Sequence, residues 1–260
     1  MRLRFIAVPV LVILIAAGCT YKRNNPCDVD GTNFNGDLFS EESREENFEM
    51  GWVKYAGWEN CGFLMDKYEA SRRDASSEDP GKDNNYNPRS LKGYMPWTKI
   101  TFADAQASCS GKQGPYKRIC KKSEFMAACQ GGYVNEPDPT PEENQKQIYP
   151  YGNEYQKLFC NGAGFCDGKT DCVSSIITTG EAVNCYTTKG VEPPPKETAY
   201  PGLYDLSGNI AEWVLDDDTG LGVAIGGSYK SDATGLLCAA VDPTKIPTEV
   251  YLEVGFRCCK

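Results

Sequence analysis

Cysteine and carboxylate are the side chains in this chain with the types and spacing to do chemistry. The 260 residues include 13 cysteines and no histidine. Thiolates hold soft metal ions, attack electrophiles or close as disulfides. The missing histidine excludes Ser-His-Asp and Cys-His catalysis and every metal site built on imidazole. So many thiols do not suit a reduced cytosol, and an exported, covalently stapled protein is expected. Cys166 and Cys172 stand six residues apart and could hold zinc, but in an exported chain they are expected to form disulfides. Among the acids, Asp205 and Glu212 lie seven residues apart with Gly208-Asn209 between them. Two hard carboxylates and the carbonyls of an intervening turn can wrap calcium; the same pair could instead cap or cross-link a loop beside Trp213. Asn161, with Asp167 or Asp171, leaves a second cation site open. Asp216-Asp217-Asp218 could bind a cation but reads more simply as a solvated loop.

Lys and Arg number 27 against 36 Asp and Glu, a formal charge of −9. Such a surface repels phosphate backbones, so no nucleic-acid partner is expected. Arg2 and Arg4 precede an apolar run from Phe5 to Ile15 and the small residues Ala16-Ala17-Gly18 before Cys19, the pattern of an export signal. The run is short for a bilayer span, and Pro9 interrupts it. Its end resembles a bacterial lipobox, with an ordinary secretory signal as the alternative. Lipidation is expected at Cys19, leaving 12 of the 13 cysteines to pair. Acyl chains there would contribute roughly 0.8 kcal/mol per buried methylene and make a membrane surface the first partner. Thr20 rather than Asp follows the cysteine, which resembles an outer-membrane address. The expected organisation is a signal peptide over 1–18, an acidic tether over 19–47 and one domain over 48–260.

Within that domain, short aromatic and β-branched runs are broken by Gly, Pro, Asn and Asp. Two helices are expected. One starts at Thr101, with Asp104 placed as in a capping box, and covers Phe102 to Cys109. The other runs from about Ser123 to Gln130 and stops at Gly131-Gly132. Asn135 to Gln147 reads as an exposed loop, Cys160 to Pro195 as stapled loop, and Gly222 to Tyr229 as a buried strand. The pattern is that of an irregular α+β domain.

Several segments, in order, resemble one known family. They are Met65-Asp66-Lys67-Tyr68-Glu69-Ala70-Ser71, Pro96 to Cys109, Lys117 to Gly132, Tyr149-Pro150-Tyr151-Gly152-Asn153-Glu154, Gly202 to Trp213 (GLYDLSGNIAEW), Gly226-Gly227-Ser228-Tyr229 and Gly255-Phe256-Arg257-Cys258. The chain is similar to the formylglycine-generating enzyme (sulfatase-modifying factor) family from about Gly62 to Cys258. The resemblance implies a disulfide-rich variant of the C-type lectin-like fold, low in regular secondary structure. It implies calcium at Asp205, Gly208, Ile210 and Glu212, and disulfides joining Cys109 to Cys258 and Cys129 to Cys238. Cys120 and Cys259 could then meet as well; the other cysteines cannot be connected from sequence.

In active members of that family, two cysteines five residues apart follow the Gly-Gly-Ser motif and bind copper(I) to oxidise a substrate thiol. Here Ser231 stands at the first position and the segment is shortened, so the second is lost or filled by Leu. Serine cannot replace a thiolate toward copper(I), and copper is not expected. An iron-dependent branch of the family needs histidine and is excluded. The resemblance therefore implies a lipid-anchored binding or scaffold module for a protein, peptide or glycan, without the copper chemistry. One alternative is a thiol oxidase with a relocated pair, Cys238 with Cys258 or Cys259. Another is a calcium-dependent glycan-binding adhesin, in which Trp52, Trp58 and Trp97 could line a sugar surface rather than the core.

Overall fold

The computed structural model describes residues 50–55, 62–85, 87–111, 117–132, 146–166, 174–187, 191–192 and 202–260. Cys19, the tether, Cys27, Trp58, Cys61, loop 133–145, Asp167, Asp171, Cys172 and the indole of Trp52 lie outside these residues.

Strand β1 (Met50–Lys54) pairs antiparallel with β2 (Gly62–Asp66), Met50 opposite Asp66 and Lys54 opposite Gly62. The remaining elements follow as α1 (Phe102–Cys109), β3 (Arg118–Ile119), α2 (Lys122–Cys129), β4 (Tyr186–Thr187), β5 (Val191–Glu192), β6 (Leu203–Tyr204), β7 (Ala211–Leu215), β8 (Gly222–Ile225), β9 (Val241–Asp242), β10 (Val254–Phe256) and β11 (Cys258–Cys259). One sheet has the order β3-β11-β2-β1-β5 and a second β10-β7-β8-β9, while β4 and β6 form a third ladder. In the second sheet only the β10–β7 pair is parallel. Among the described residues, two short helices beside several small sheets make this an α+β fold.

Both helices start where their sequences direct. The Thr101 hydroxyl accepts from the Asp104 N–H at 3.1 Å, satisfying an orphan donor of the first turn of α1. For α2, the Glu124 carboxylate accepts from the Lys121 N–H at 2.8 Å. The acid run 216–218 also belongs to this helix. Asp217 accepts from both the backbone N–H and the hydroxyl of Ser123 at 2.9 Å, and Asp216 pairs with Lys122. Carboxylates at a helix N-terminus complement its dipole, so the run is a docked cap rather than a free solvated loop.

The core divides on either side of β7. Val214 joins a cluster with Val53, Phe63, Met65, Phe125, Leu203 and Ile225, while Trp213 joins Trp97, Ile100, Val254 and Phe256. Successive strand side chains point to opposite faces, so one five-residue strand serves both clusters. The Trp213 indole N–H donates to the Ile100 carbonyl at 2.9 Å, and Trp97 packs edge-on against Phe256. Trp97 is thus a core residue rather than part of a sugar surface.

The same alternation operates on β11. Cys258 bonds to Cys109 at the end of α1, and Cys259 bonds to Cys120 just before α2. Neighbours in sequence, they staple the strand into different clusters. Cys129 is joined to Cys238 and Cys160 to Cys185. The strand expected over 222–229 ends at Ile225. Gly226 and Gly227 take φ of 89° and 72°, a left-handed turn that ends pairing and opens a loop.

Candidate functional site

Arg257 is fully buried between β10 and β11. Its Nε donates to both carboxylate oxygens of Glu212 at 2.8 and 3.0 Å, and its Nη2 donates to Glu212 Oε1 at 2.7 Å. The remaining donors reach the carbonyls of Asp66, Lys67 and Tyr204 at 3.1, 3.4 and 2.8 Å. One guanidinium thus ties β2, β6 and β7 together, and its fork geometry suits this better than an ammonium would.

Around it lie more buried acids than this one cation balances. Glu69 accepts from Asn209 Nδ2 at 2.7 Å and from the Ile210 N–H at 3.2 Å. Burial, with the neighbouring charges of Asp205 and Glu212, pushes the Glu69 carboxyl well above its ordinary range despite Arg257 and the Asn209 hydrogen bond. Asp205 is pushed up to about 7, burial outweighing the Gly180 N–H bond and the Arg257 charge. Glu212 is also raised by burial, in the face of Arg257.

The turn 205–210 is architectural. Asp205, Gly208 and Asn209 take φ of 57°, 79° and 57°, a left-handed region open to Gly and tolerated by Asp and Asn. A Cβ on Gly208 would stand 2.5 Å from the Asn161 carbonyl oxygen. The Asn209 side-chain oxygen accepts from Asn161 Nδ2 and the Ile177 N–H, both at 3.0 Å.

Asp205 and Glu212 are therefore brought into one buried network, with both carboxylates engaged by protein donors. Arg257 occupies both oxygens of Glu212, and Asp205 Oδ2 accepts from the Gly180 N–H at 2.6 Å. Among the described residues no group of three or more Cys, Asp or Glu is arranged to hold a metal. A guanidinium here does the charge-balancing work the sequence suggested for a cation. The importance of Arg257 and Glu69 was missed from sequence, because their partners lie far along the chain.

A second polar centre opens where β8 ends. Gly227, Ser228, Lys230, Ser231, Asp242, Lys245 and Glu253 surround a cavity of about 370 Å³. A Cβ on Gly227 would meet the Gly235 carbonyl oxygen at 2.2 Å, so only glycine permits this close wall. The Ser231 hydroxyl accepts from the Ser228 N–H at 2.9 Å, and the Ser231 N–H returns to the Ser228 carbonyl at 2.8 Å. Glu253 receives Lys245 at 2.7 Å and Lys230 at 3.2 Å. Burial opposes the charge of Glu253, but these bonds hold its carboxyl below the ordinary range. The Glu253 hydrogen bond in turn raises Lys230 above its ordinary value. Neither an imidazole nor a neutral amine stands by to take a proton from Ser231. The cavity offers hydroxyls, ammonium groups and carboxylates, which is equipment for binding.

Residues 35–260 match the family model of the sulfatase-modifying factor enzyme 1-like domain. The chain belongs to this family. The match begins within the stretch expected to be tether. The formylglycine-generating-enzyme variant of the C-type lectin-like fold expected from sequence is the fold of this family. A bovine (Bos taurus) relative, the inactive C-alpha-formylglycine-generating enzyme 2, is 26% identical over 175 residues, 63% of this chain and 50% of its own. The chain thus spans about half the length of this curated relative. Treponema denticola variable protein 1 superposes with a TM-score of 0.48 at 14% identity, over 81% of this chain and 94% of that one. PvdO from Pseudomonas aeruginosa gives 0.43 at 15%, over 80% and 89%.

The copper chemistry of the sulfatase-modifying factor family does not fit the residues present. Ser231 lines the cavity, and no cysteine does. Cys238, Cys258 and Cys259, the residues of the relocated-pair alternative, are bonded to Cys129, Cys109 and Cys120. No two of them are free to share a copper(I) ion, so that alternative is set aside.

Proposed function

We propose that this chain is a non-catalytic member of the sulfatase-modifying factor family, a binding or scaffold module that takes a peptide or glycan in the cavity beside Ser231. The observation that carries the reading is the serine in that cavity wall, together with the closure of Cys238 in a disulfide. A copper(I) thiol oxidase needs two thiolates, and a hydroxyl held by a backbone N–H supplies neither charge nor softness. The inactive relative lends support, since family membership is compatible with lost chemistry.

In this reading the protein is exported and held at the membrane, in the outer membrane of a two-membrane envelope, by acyl chains on Cys19. A Cys19→Ser variant is then expected in the soluble fraction, whereas the parent partitions with membranes.

The deciding experiment combines disulfide mapping with an activity assay. Alkylation before and after reduction, followed by peptide mass spectrometry, is expected to find Cys129 joined to Cys238. Incubation with copper(I), oxygen and a cysteine-containing peptide is expected to yield no aldehyde. Turnover on that peptide, or two free thiols that bind copper(I), would overturn the reading. Lys230→Glu, at the exposed rim of the cavity, is the variant expected to weaken capture of the native peptide or glycan.

A further inference from the structure

A second cavity lies away from Ser231 and shares no lining residue with it. Gln147, Pro150, Tyr151, Phe159, Asn184, Tyr186 and Thr187 enclose about 250 Å³. Although charged residues make up 24% of the chain, none of the described residues that line this cavity is Lys, Arg, Asp or Glu. Its walls are aromatic rings, and its polar side-chain groups are the carboxamides of Gln147 and Asn184 and the hydroxyls of Tyr151, Tyr186 and Thr187.

The rings are backed and fixed. Tyr186 stacks on Tyr204 at 5.4 Å, and Tyr204 stacks on Tyr68 at 5.1 Å. Tyr151 stacks on Tyr149 at 5.5 Å with an interplanar angle of 3°, and Phe159 meets its edge at 5.0 Å. A covalent bond joins the two walls. The Cys160–Cys185 disulfide links the residue after Phe159 to the residue between Asn184 and Tyr186. The Tyr151 hydroxyl accepts from the Gln156 N–H at 3.1 Å. A ligand entering here has little to order, so little of its binding energy is lost to rearrangement.

Several exposed apolar residues adjoin the lining in sequence. Ile148, Leu158, Val183 and Tyr186 are 44%, 55%, 60% and 37% exposed, and each is a lining residue or the sequence neighbour of one.

We propose that this cavity binds a neutral saccharide, one pyranose ring entering between Tyr151 and Tyr186. A sugar ring has apolar C–H faces that lie on aromatic rings and a hydroxyl edge that both donates and accepts. The carboxamides of Gln147 and Asn184 also both donate and accept. The uncharged lining matches an uncharged ligand, because a phosphate or carboxylate would find no counter-charge among the described residues of the wall. The volume lies below the ~300–1,000 Å³ of a drug-sized pocket and suits a single ring. A polyproline segment also slots between aromatic rings, but it offers only carbonyl acceptors and would leave the Asn184 carboxamide oxygen unmatched; that of Gln147 already accepts from the Thr187 hydroxyl at 3.4 Å. The site involves no calcium and does not depend on the reading of the Ser231 cavity.

The test is a titration of the full chain, followed by saturation-transfer NMR, with a panel of neutral hexoses, N-acetylhexosamines and their disaccharides in the presence of EDTA. Hexaproline serves as the competing probe. Saturation of at least one panel sugar is expected, weakened at least tenfold by both Tyr186→Ala and Asn184→Ala and unchanged by Lys230→Glu. Asn184 is exposed, so its alanine variant is expected to keep the near-UV circular dichroism of the parent even if Tyr186→Ala does not. Four results would each overturn the proposal: no binding by any panel sugar, binding that survives Asn184→Ala, binding abolished by EDTA, or hexaproline showing the variant dependence in place of sugar. A loss with Lys230→Glu alone would assign sugar binding to the Ser231 cavity and remove it from this one.

Discussion

Arg257 carries more of the structure than any other polar side chain described. Its guanidinium and the Glu212 carboxylate are buried together, with side-chain exposures of 0% and 1%. Removing one member of such a pair leaves the other charged and dry, typically at a cost of about 3–5 kcal/mol. Arg257→Met is therefore expected to lower the stability read from urea unfolding by that order. Arg257→Met with Glu212→Gln should recover part of the loss, because no uncompensated carboxylate remains. Asp205 gives the same network a dependence on pH. Its carboxyl is raised from 3.8 to about 7 in the folded chain, so between these values the native state holds a proton that the unfolded state has released. Its contribution to stability is present below about pH 4 and is lost as pH rises through about 7. The melting temperature is expected to fall between pH 5 and pH 8, with a shallower slope in Asp205→Asn, whose amide oxygen can still accept from Gly180. An unchanged slope in that variant would assign the effect elsewhere.

Among the elements, the helices were the most legible in the sequence, because their signals are local. Thr101 and Asp104 mark the start of α1 within one turn, and Gly131-Gly132 mark the stop after α2. The strand after Gly222 was legible only as far as Ile225. Beyond it only Tyr229 still suggests extension, and two left-handed glycines, Gly226 and Gly227, break the pairing first. The role of 216–218 was not legible at all. An acid run has no local sign of the helix terminus it serves, and Asp217 reaches Ser123 across 94 positions. Asp217→Ala is expected to lower the melting temperature by about 2–4 °C, the shift that ~1 kcal/mol of lost capping produces in a domain of this size. Asp218→Ala, next to it and largely exposed, should change it less. The Cys120–Cys259 bond closes 139 positions, and replacing both cysteines by serine is expected to cost about 2–5 kcal/mol in reversible unfolding.

At the scale of the whole molecule, the family was readable from ordered short motifs, and much of what those motifs do proved to be architecture. In the Gly202 to Trp213 segment, Asn209 ties Glu69 to Asn161 and Glu212 meets Arg257. Residue types alone suggested a cation there, since two carboxylates and a glycine turn are compatible with one. Nothing in the local sequence announces a guanidinium arriving from 45 positions away. The aromatic cavity near Tyr186 was invisible for the same reason: its walls come from separate stretches joined by a disulfide. The chain's layout also sets a timetable. Strand β11, made of Cys258 and Cys259, lies inside the first sheet between β3 and β2. During synthesis β1 and β2 emerge first, yet their sheet cannot be completed until nearly every other residue described has left the ribosome. Until then the edge of β2 is open to wrong partners, and Cys109 and Cys120 wait with reactive thiols for companions not yet made. A protein ordered in this way depends on its early thiols staying unpaired through synthesis, and on oxidation and disulfide reshuffling only once Cys258 and Cys259 have been made.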